Sequence, residues 1–248
     1  MRTIYIMWLR QWKRYIRKKS RIVGALGQPI LFLFALGFGL SPIFARAGGG
    51  DYIQFLAPGV IAMTVMFTAI FTGMEIIWDK QFGFMKETLV APVSRFEILM
   101  GKTLGGTTIS VIQGLLVFVI TFVAGFRPEN YALLPLAFLF LVLIAFLFSA
   151  LGSVIAARLD DMQGFPLIMN FVVQPLFFLS GALFPLGNIP TVLSVVTNVN
   201  PLSYGVEGLR YSLSGSAFFS PLLSLTVLVG VTVVIMLVGM YQFSKIEV

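Results

Sequence analysis

The chain has 248 residues, of which 58% are hydrophobic and 14% aromatic, and its mean hydropathy is +0.97; a soluble domain of this size is far less apolar. It contains no cysteine and no histidine, which excludes disulfides, thiolate metal sites and any Ser-His or Cys-His nucleophile. The net charge of +7 is read as topology and contact with anionic lipid, not as a nucleic-acid footprint.

Residues 3–20 predict an amphipathic helix. Ile4, Trp8, Trp12, Tyr15 and Lys19 share one face, and Arg10, Arg14, Arg17 and Arg21 line another. A helix of this kind lies in the membrane interface. The alternative is a basic flank that only holds topology. Two tryptophans four residues apart, Trp8 and Trp12, favour the interfacial helix.

Apolar runs follow near 22–44, 55–77, 103–125, 132–157, 165–186 and 220–243. Each can cross a hydrocarbon core of ~30 Å, which takes about 20 helical residues. The expected fold is therefore an all-α integral membrane protein with six transmembrane helices. Fourteen of the seventeen Lys and Arg residues then lie on one side, and Arg46, Arg127 and Arg210 on the other. Positive loops stay cytoplasmic, so the chain is placed in a cell membrane as a multi-pass protein with both termini inside. The first run is too long for a signal-peptide core and is read as a retained span. Residues 1–21 form the interfacial part, and 22–248 the spanning domain.

The first run carries Pro29, expected to kink it. The inner loop 79–102 mixes charge with apolar residues. Phe82, Met85 and Leu89 fall on one helical face, Pro92 ends that helix, and Ser94 with Glu97 has capping-box spacing. The outer segment 187–219 is moderately apolar, punctuated by prolines and too short to span; it reads as interfacial or re-entrant.

Other features are weighed against plainer readings. Gly101-Lys102-Thr103 lacks the upstream glycine of a phosphate loop, since Phe96 stands there; Gly101 and Gly105 read as a small-residue packing pair. Glu75 near the inner end of the second run is either functional or a solvated interfacial acid. Asp160-Asp161 point about 100° apart on a helix and read as a polar loop, not a metal pair. Phe67, Phe71, Phe177 and Phe178 are candidate lining for an amphipathic substrate, against ordinary packing.

The segment Lys86-Glu-Thr-Leu-Val-Ala-Pro-Val-Ser-Arg-Phe-Glu-Ile-Leu-Met-Gly-Lys102 resembles the cytoplasmic motif of ABC-2 type transporter permeases. Glu87, Leu89, Pro92, Ser94 and Arg95 match, while Ala91 replaces the more usual Thr or Ser. Phe178-Leu-Ser-Gly-Ala-Leu-Phe-Pro185, Ile189-Pro190, Asn200-Pro-Leu-Ser-Tyr204 and Gly208-Leu-Arg210 are similar to that family's fifth span and outer re-entrant segment. The drug and lipo-oligosaccharide exporter branch is the nearest in character. The resemblance implies an exporter permease that pairs as a homodimer with separate ATP-binding subunits. ATP and Mg would sit on those subunits, and this chain would hold no cofactor, metal or catalytic residue. It also implies a coupling helix around 80–91, with Lys80, Phe82, Met85, Lys86, Glu87, Leu89, Pro92 and Arg95 as ATPase-coupling residues. Trp8, Trp12 and Arg14 would belong to the interfacial helix, and Pro201, Tyr204, Glu207 and Arg210 to short outer helices. Two other classes are weaker. A secondary carrier or channel calls for midplane charges or symmetric broken helices, and a membrane enzyme calls for a buried catalytic pair.

Overall fold

The structure is a computed structural model that describes residues 2–48, 50–90 and 92–244; the side chains of Lys86, Leu89 and Asn188 lie outside the description, as do Ala91 and Lys245. Helices carry the fold. They are α1 (Arg2–Arg17), α2 (Lys19–Arg46), α3 (Tyr52–Gln81), α4 (Phe84–Val90) and α5 (Arg95–Val123), then α6 (Leu134–Arg158), α7 (Gly164–Phe178), α8 (Thr191–Val199), α9 (Pro201–Ser214) and α10 (Pro221–Ser244).

Five of these helices are long and apolar enough to cross a membrane: α2, α3, α5, α6 with its leading turn, and α10. The run expected at 165–186 yields only the shorter α7, which contains a wide turn at Met169–Val173 just before Pro175. Its remainder is irregular chain through Gly181, whose φ is 75°. Hydropathy extends over the whole run, but the helix stops at Phe178, ahead of the left-handed Gly181. In α2 a similar wide turn at Phe32–Leu36 follows Pro29, where the ring removes a backbone donor.

The central element is α3. Its most apolar window is 78% buried, against 17% in α2 and 28% in α10. It packs against α2, α5, α6 and α9, as a helix apolar on all sides must. A Cβ at Gly73 of α3 would overlap the Gly152 backbone of α6, so these helices meet backbone to backbone. Small residues allow this where lipid supplies no hydrophobic drive for association.

The third span begins earlier than its apolar run. Ser94 Oγ accepts from the Glu97 N–H at 3.1 Å, and the helix capped there continues unbroken to Val123. Gly101 and Gly105 do form a packing surface, and their partner is α1. A Cβ at Gly101 would lie 2.7 Å from Met7 Cβ, and one at Gly105 would overlap the Gln11 amide. Met7, Gln11 and Tyr15, four residues apart on α1, are buried in consequence, and Trp8 Nε1 donates to Thr108 Oγ1 at 2.9 Å.

Replacing Gly101 or Gly105 with Leu is expected to destabilise the protein by about 1–3 kcal/mol through overpacking. Thermal unfolding in detergent measures this, and wild-type stability in both variants would contradict the α1–α5 contact.

Candidate functional site

Two acids one turn apart on α3, Glu75 and Asp79, have side chains only 3% exposed. Carboxylates buried this far require cations and hydrogen-bond donors. Lys102 of α5, itself 3% exposed, pairs with Asp79. Arg10 binds Asp79 through both terminal nitrogens, Nη2 at 2.8 Å and Nη1 at 3.1 Å, the strong forked geometry. Arg14 lies 3.6 Å from Asp79 and 3.7 Å from Glu75, and Arg21 of α2 lies 3.2 Å from Glu75. Cations from three helices thus converge on one turn of α3. Glu75 is not the solvated acid of the plainer reading. The basic face expected to meet the membrane surface divides: Arg10, Arg14 and Arg21 turn inward to the acids, while Arg17 stays exposed. Trp12, half-buried, stacks on Tyr15 at 6.4 Å, and burial raises the Tyr15 hydroxyl above the usual phenol range.

This cluster adjoins the inner loop. The Arg10 guanidinium sits 3.4 Å from the Phe84 ring centre, tying α1 to α4 by a cation–π contact. Lys80 donates to the Ala157 and Leu159 carbonyls at 2.6 and 3.1 Å and lies 3.5 Å from Asp160. It therefore caps the end of α6. Phe82 and Met85 do not share a face as the spacing suggested. Gly83, with φ 78°, breaks the helix between them, so Met85 is buried and Phe82 is 79% exposed. Glu87 and Pro92 are exposed and Arg95 is half-buried. Lys86 and Leu89, also named for this helix, have side chains outside the described residues. Among the described residues no group of three or more potential metal ligands occurs.

At the other end of α3, Arg210 and Glu207 of α9 form a buried pair. Arg210 also donates to the Gly181 carbonyl at 3.0 Å and lies 4.0 Å over the Phe55 ring. The second Glu207 oxygen accepts from the Phe218 N–H. Tyr52 donates to the Leu183 carbonyl at 2.9 Å. Pro201 opens α9, capped by Asn200, and Tyr204 stacks on Phe219 at 4.6 Å. These contacts hold residues 179–219 against the Tyr52 end of α3.

The aromatic candidates separate. Phe67 meets Phe177 at 6.1 Å, Phe177 meets Phe178 at 5.3 Å, and Phe71 meets Phe165 at 6.0 Å. Phe67 and Phe71 line a cavity of about 520 Å³ between α2 and α3, whose lining also includes Tyr15, Lys18, Arg21, Glu75 and Gln113. Phe177 and Phe178 are not among its walls. Of these five residues, only Glu75 stood out in the sequence as a site candidate.

The sequence profile of the family described as ABC-2 type transporter matches residues 2–214. Nodulation protein J of Rhizobium leguminosarum bv. trifolii is 29% identical over 210 residues, covering 82% of this chain and 79% of that protein. Inner membrane transport permease YadH of Escherichia coli (strain K12) is 32% identical over 215 residues, covering 82% and 81%.

Arg210→Met leaves the Glu207 carboxylate buried without its cation and is expected to cost about 3–5 kcal/mol. Adding Glu207→Gln, which still accepts from Phe218, should recover part of that loss. Detergent thermal unfolding of the two variants checks both steps.

Proposed function

Because the chain belongs to the ABC-2 type transporter family, we propose that it is the permease of an ATP-driven exporter that carries an amphipathic substrate (a drug, a lipid or a lipid-linked saccharide) out of the cytoplasm. It is a multi-pass membrane component without ATPase activity, and hydrolysis belongs to a separate ATP-binding subunit. The observation that supports the exporter reading is the motif at Glu87–Arg95, which stands between the central α3 and α5 with Glu87 exposed. In this reading α4 is the coupling helix within loop 79–102, and exposed Phe82, Glu87 and Val90 meet the ATPase. The drug and lipo-oligosaccharide branch is the proposed placement within the family.

Contacts along α3 support six crossings. Phe165 lies beside Phe71, Phe177 beside Phe67, Ala182 against Gly59, and Leu183 bonds Tyr52. The chain from Gly164 to Pro185 therefore rises beside α3 over most of its length. The segment 187–219 suits a re-entrant pair. Asn200 donates to Leu176 O at 2.6 Å, Gly205 packs on Ile144, and Leu213 O accepts from Glu129 N at 2.9 Å. By these marks α9 climbs from mid-depth to the outer end of α6. Both ends of the chain are assigned to the cytoplasm, since Arg10 reaches Asp79 while Gly239 of α10 packs on Leu99 and Val154. The exposed apolar faces of α2 and α7, among them Leu31, Phe38, Leu167 and Phe171, are offered to a second copy of the chain.

Co-expression with the ATP-binding subunit encoded nearest to this chain, followed by vanadate-sensitive hydrolysis in lipid with candidate amphiphiles, tests the reading. Hydrolysis that requires this chain and rises with one compound class supports it; failure to form any complex with an ATPase overturns it. Glu87→Lys is expected to reduce co-purification of the ATPase several-fold while membrane insertion is unchanged. A pull-down at wild-type level would remove α4 from the interface.

A further inference from the structure

We propose that the cleft between α2 and α3 binds one single-chain amphiphile with an anionic head, lying along the helices with its head at Lys18. Binding of this kind does not depend on coupling to an ATPase. Near both of its ends α2 is tied to the bundle. At one, Arg21 reaches Glu75 at 3.2 Å and the Ile22 carbonyl accepts from Gln113 Nε2 at 3.0 Å. At the other, Leu33 is fully buried and a Cβ at Gly37 would lie 3.2 Å from Ile53. Between these ties α2 stands off. A Cβ at Gly24 would meet nothing within 4 Å, whereas every glycine of α3, α5 and α6 is pressed against a neighbour. Small residues in spanning helices ordinarily serve close packing; Gly24 instead borders an open space of about 520 Å³.

The shape of that space is long and narrow. Its walls run from Lys18 to Pro29 on α2 and, in the opposite sense, from Trp78 to Met63 on α3. At the helical rise these stretches are about 16 and 22 Å long. The volume spread over that length leaves a mean cross-section of roughly 24–32 Å², which takes one extended chain and not two abreast. The wall mixes apolar side chains, among them Phe67 and Phe71, with the uncharged Gln28, Thr64 and Thr68. Thr64 spends its hydroxyl on the Val60 carbonyl at 2.8 Å. Such a wall accepts a hydrocarbon chain, with or without a hydroxyl or ester along it, but offers no partner to a second charge.

Charge is confined to one end of the cleft. Of its lining residues only Lys18, Arg21 and Glu75 carry it, and contacts hold all three together with Trp78. The Lys18 ammonium lies 5.0 Å from the Trp78 ring centre, and Arg21 pairs with Glu75. Glu75 is shared between Arg21 at 3.2 Å and Arg14 at 3.7 Å, so it is already matched. Lys18 has no carboxylate within ion-pair distance among the described residues. The surplus at this end is therefore positive. An anionic head complements it, and a cationic head would meet Lys18 and Arg21 unfavourably.

The test uses the full chain in phosphatidylcholine nanodiscs with a hexadecyl sulfate bearing a mid-chain diazirine, photolysed and mapped by peptide mass spectrometry. Labelling should concentrate on residues 24–29 and 63–71. Unlabelled hexadecyl sulfate should displace the probe there at about tenfold lower mole fraction than hexadecyltrimethylammonium, the effect of exchanging attraction for repulsion at one partly solvated cation. Lys18 is exposed, so Lys18→Gln should bring the two heads close to equality without lowering the melting temperature. Gly24→Leu places a side chain in the open space without a clash at its Cβ. It should remove the labelling from both segments with the melting temperature unchanged. Labelling spread evenly over the helices, equal displacement by both heads, a head preference unchanged in Lys18→Gln, two-chain phosphatidylglycerol displacing the probe as well as the sulfate does, or labelling that survives Gly24→Leu would each overturn the proposal.

Discussion

Two carboxylates buried in the last turns of the central helix set the arrangement of everything around them. Burying Glu75 and Asp79 away from water is costly unless cations stand at contact distance. The chain supplies these from three places: Arg10 and Arg14 on α1, Arg21 on α2 and Lys102 on α5. An amphipathic helix that could otherwise float along the membrane surface is thereby fixed in position and rotation. Its other contact, on the glycines of α5, needs that same rotation, because it sets Met7 against Gly101 and Gln11 against Gly105.

The consequence for transport follows from continuity. The layer of α1, the lower turns of α3 and the start of α5 also holds α4, through Arg10 over Phe84, and the end of α6, through Lys80. On the proposed reading, an ATPase pressing on α4 acts on this whole layer, not on a loose loop. From there α3 runs to the pair Glu207–Arg210, where Phe55 and Tyr52 meet Arg210 and the Leu183 carbonyl. A single buried helix thus joins the two charge clusters. Chains of packed elements can carry coupling between two sites, and α3 with α6 and α9 forms one.

Much of this was legible in the sequence. Apolar runs located the long helices, because length and hydropathy alone decide what can cross a membrane. Ser94 and Glu97 marked the start of α5, and Gly101 with Gly105 marked a close contact, since both signals are local. The partners across the fold were not legible. Arg10 and Asp79 are 69 residues apart, and Arg21 and Glu75 are 54 apart; no periodicity links such pairs. Charge counting placed Arg210 among the outer cations that set topology, yet it is spent inside the protein on Glu207. The run at 165–186 misled in length because hydropathy does not register the backbone breaks near Pro175 and Gly181. The face assigned to Phe82, Met85 and Leu89 failed between its first two members because Gly83 interrupts the helix, a matter of one positive φ.

The tie between α1 and the acids of α3 is tested most directly by a double-mutant cycle on Arg10→Met and Asp79→Asn, with unfolding of the full chain followed in detergent. The two changes are predicted to couple by about 1–3 kcal/mol, because they remove the two ends of one forked ion pair. Additivity within about 0.5 kcal/mol would mean that α1 is not held by this pair, and that the inner layer is not one body.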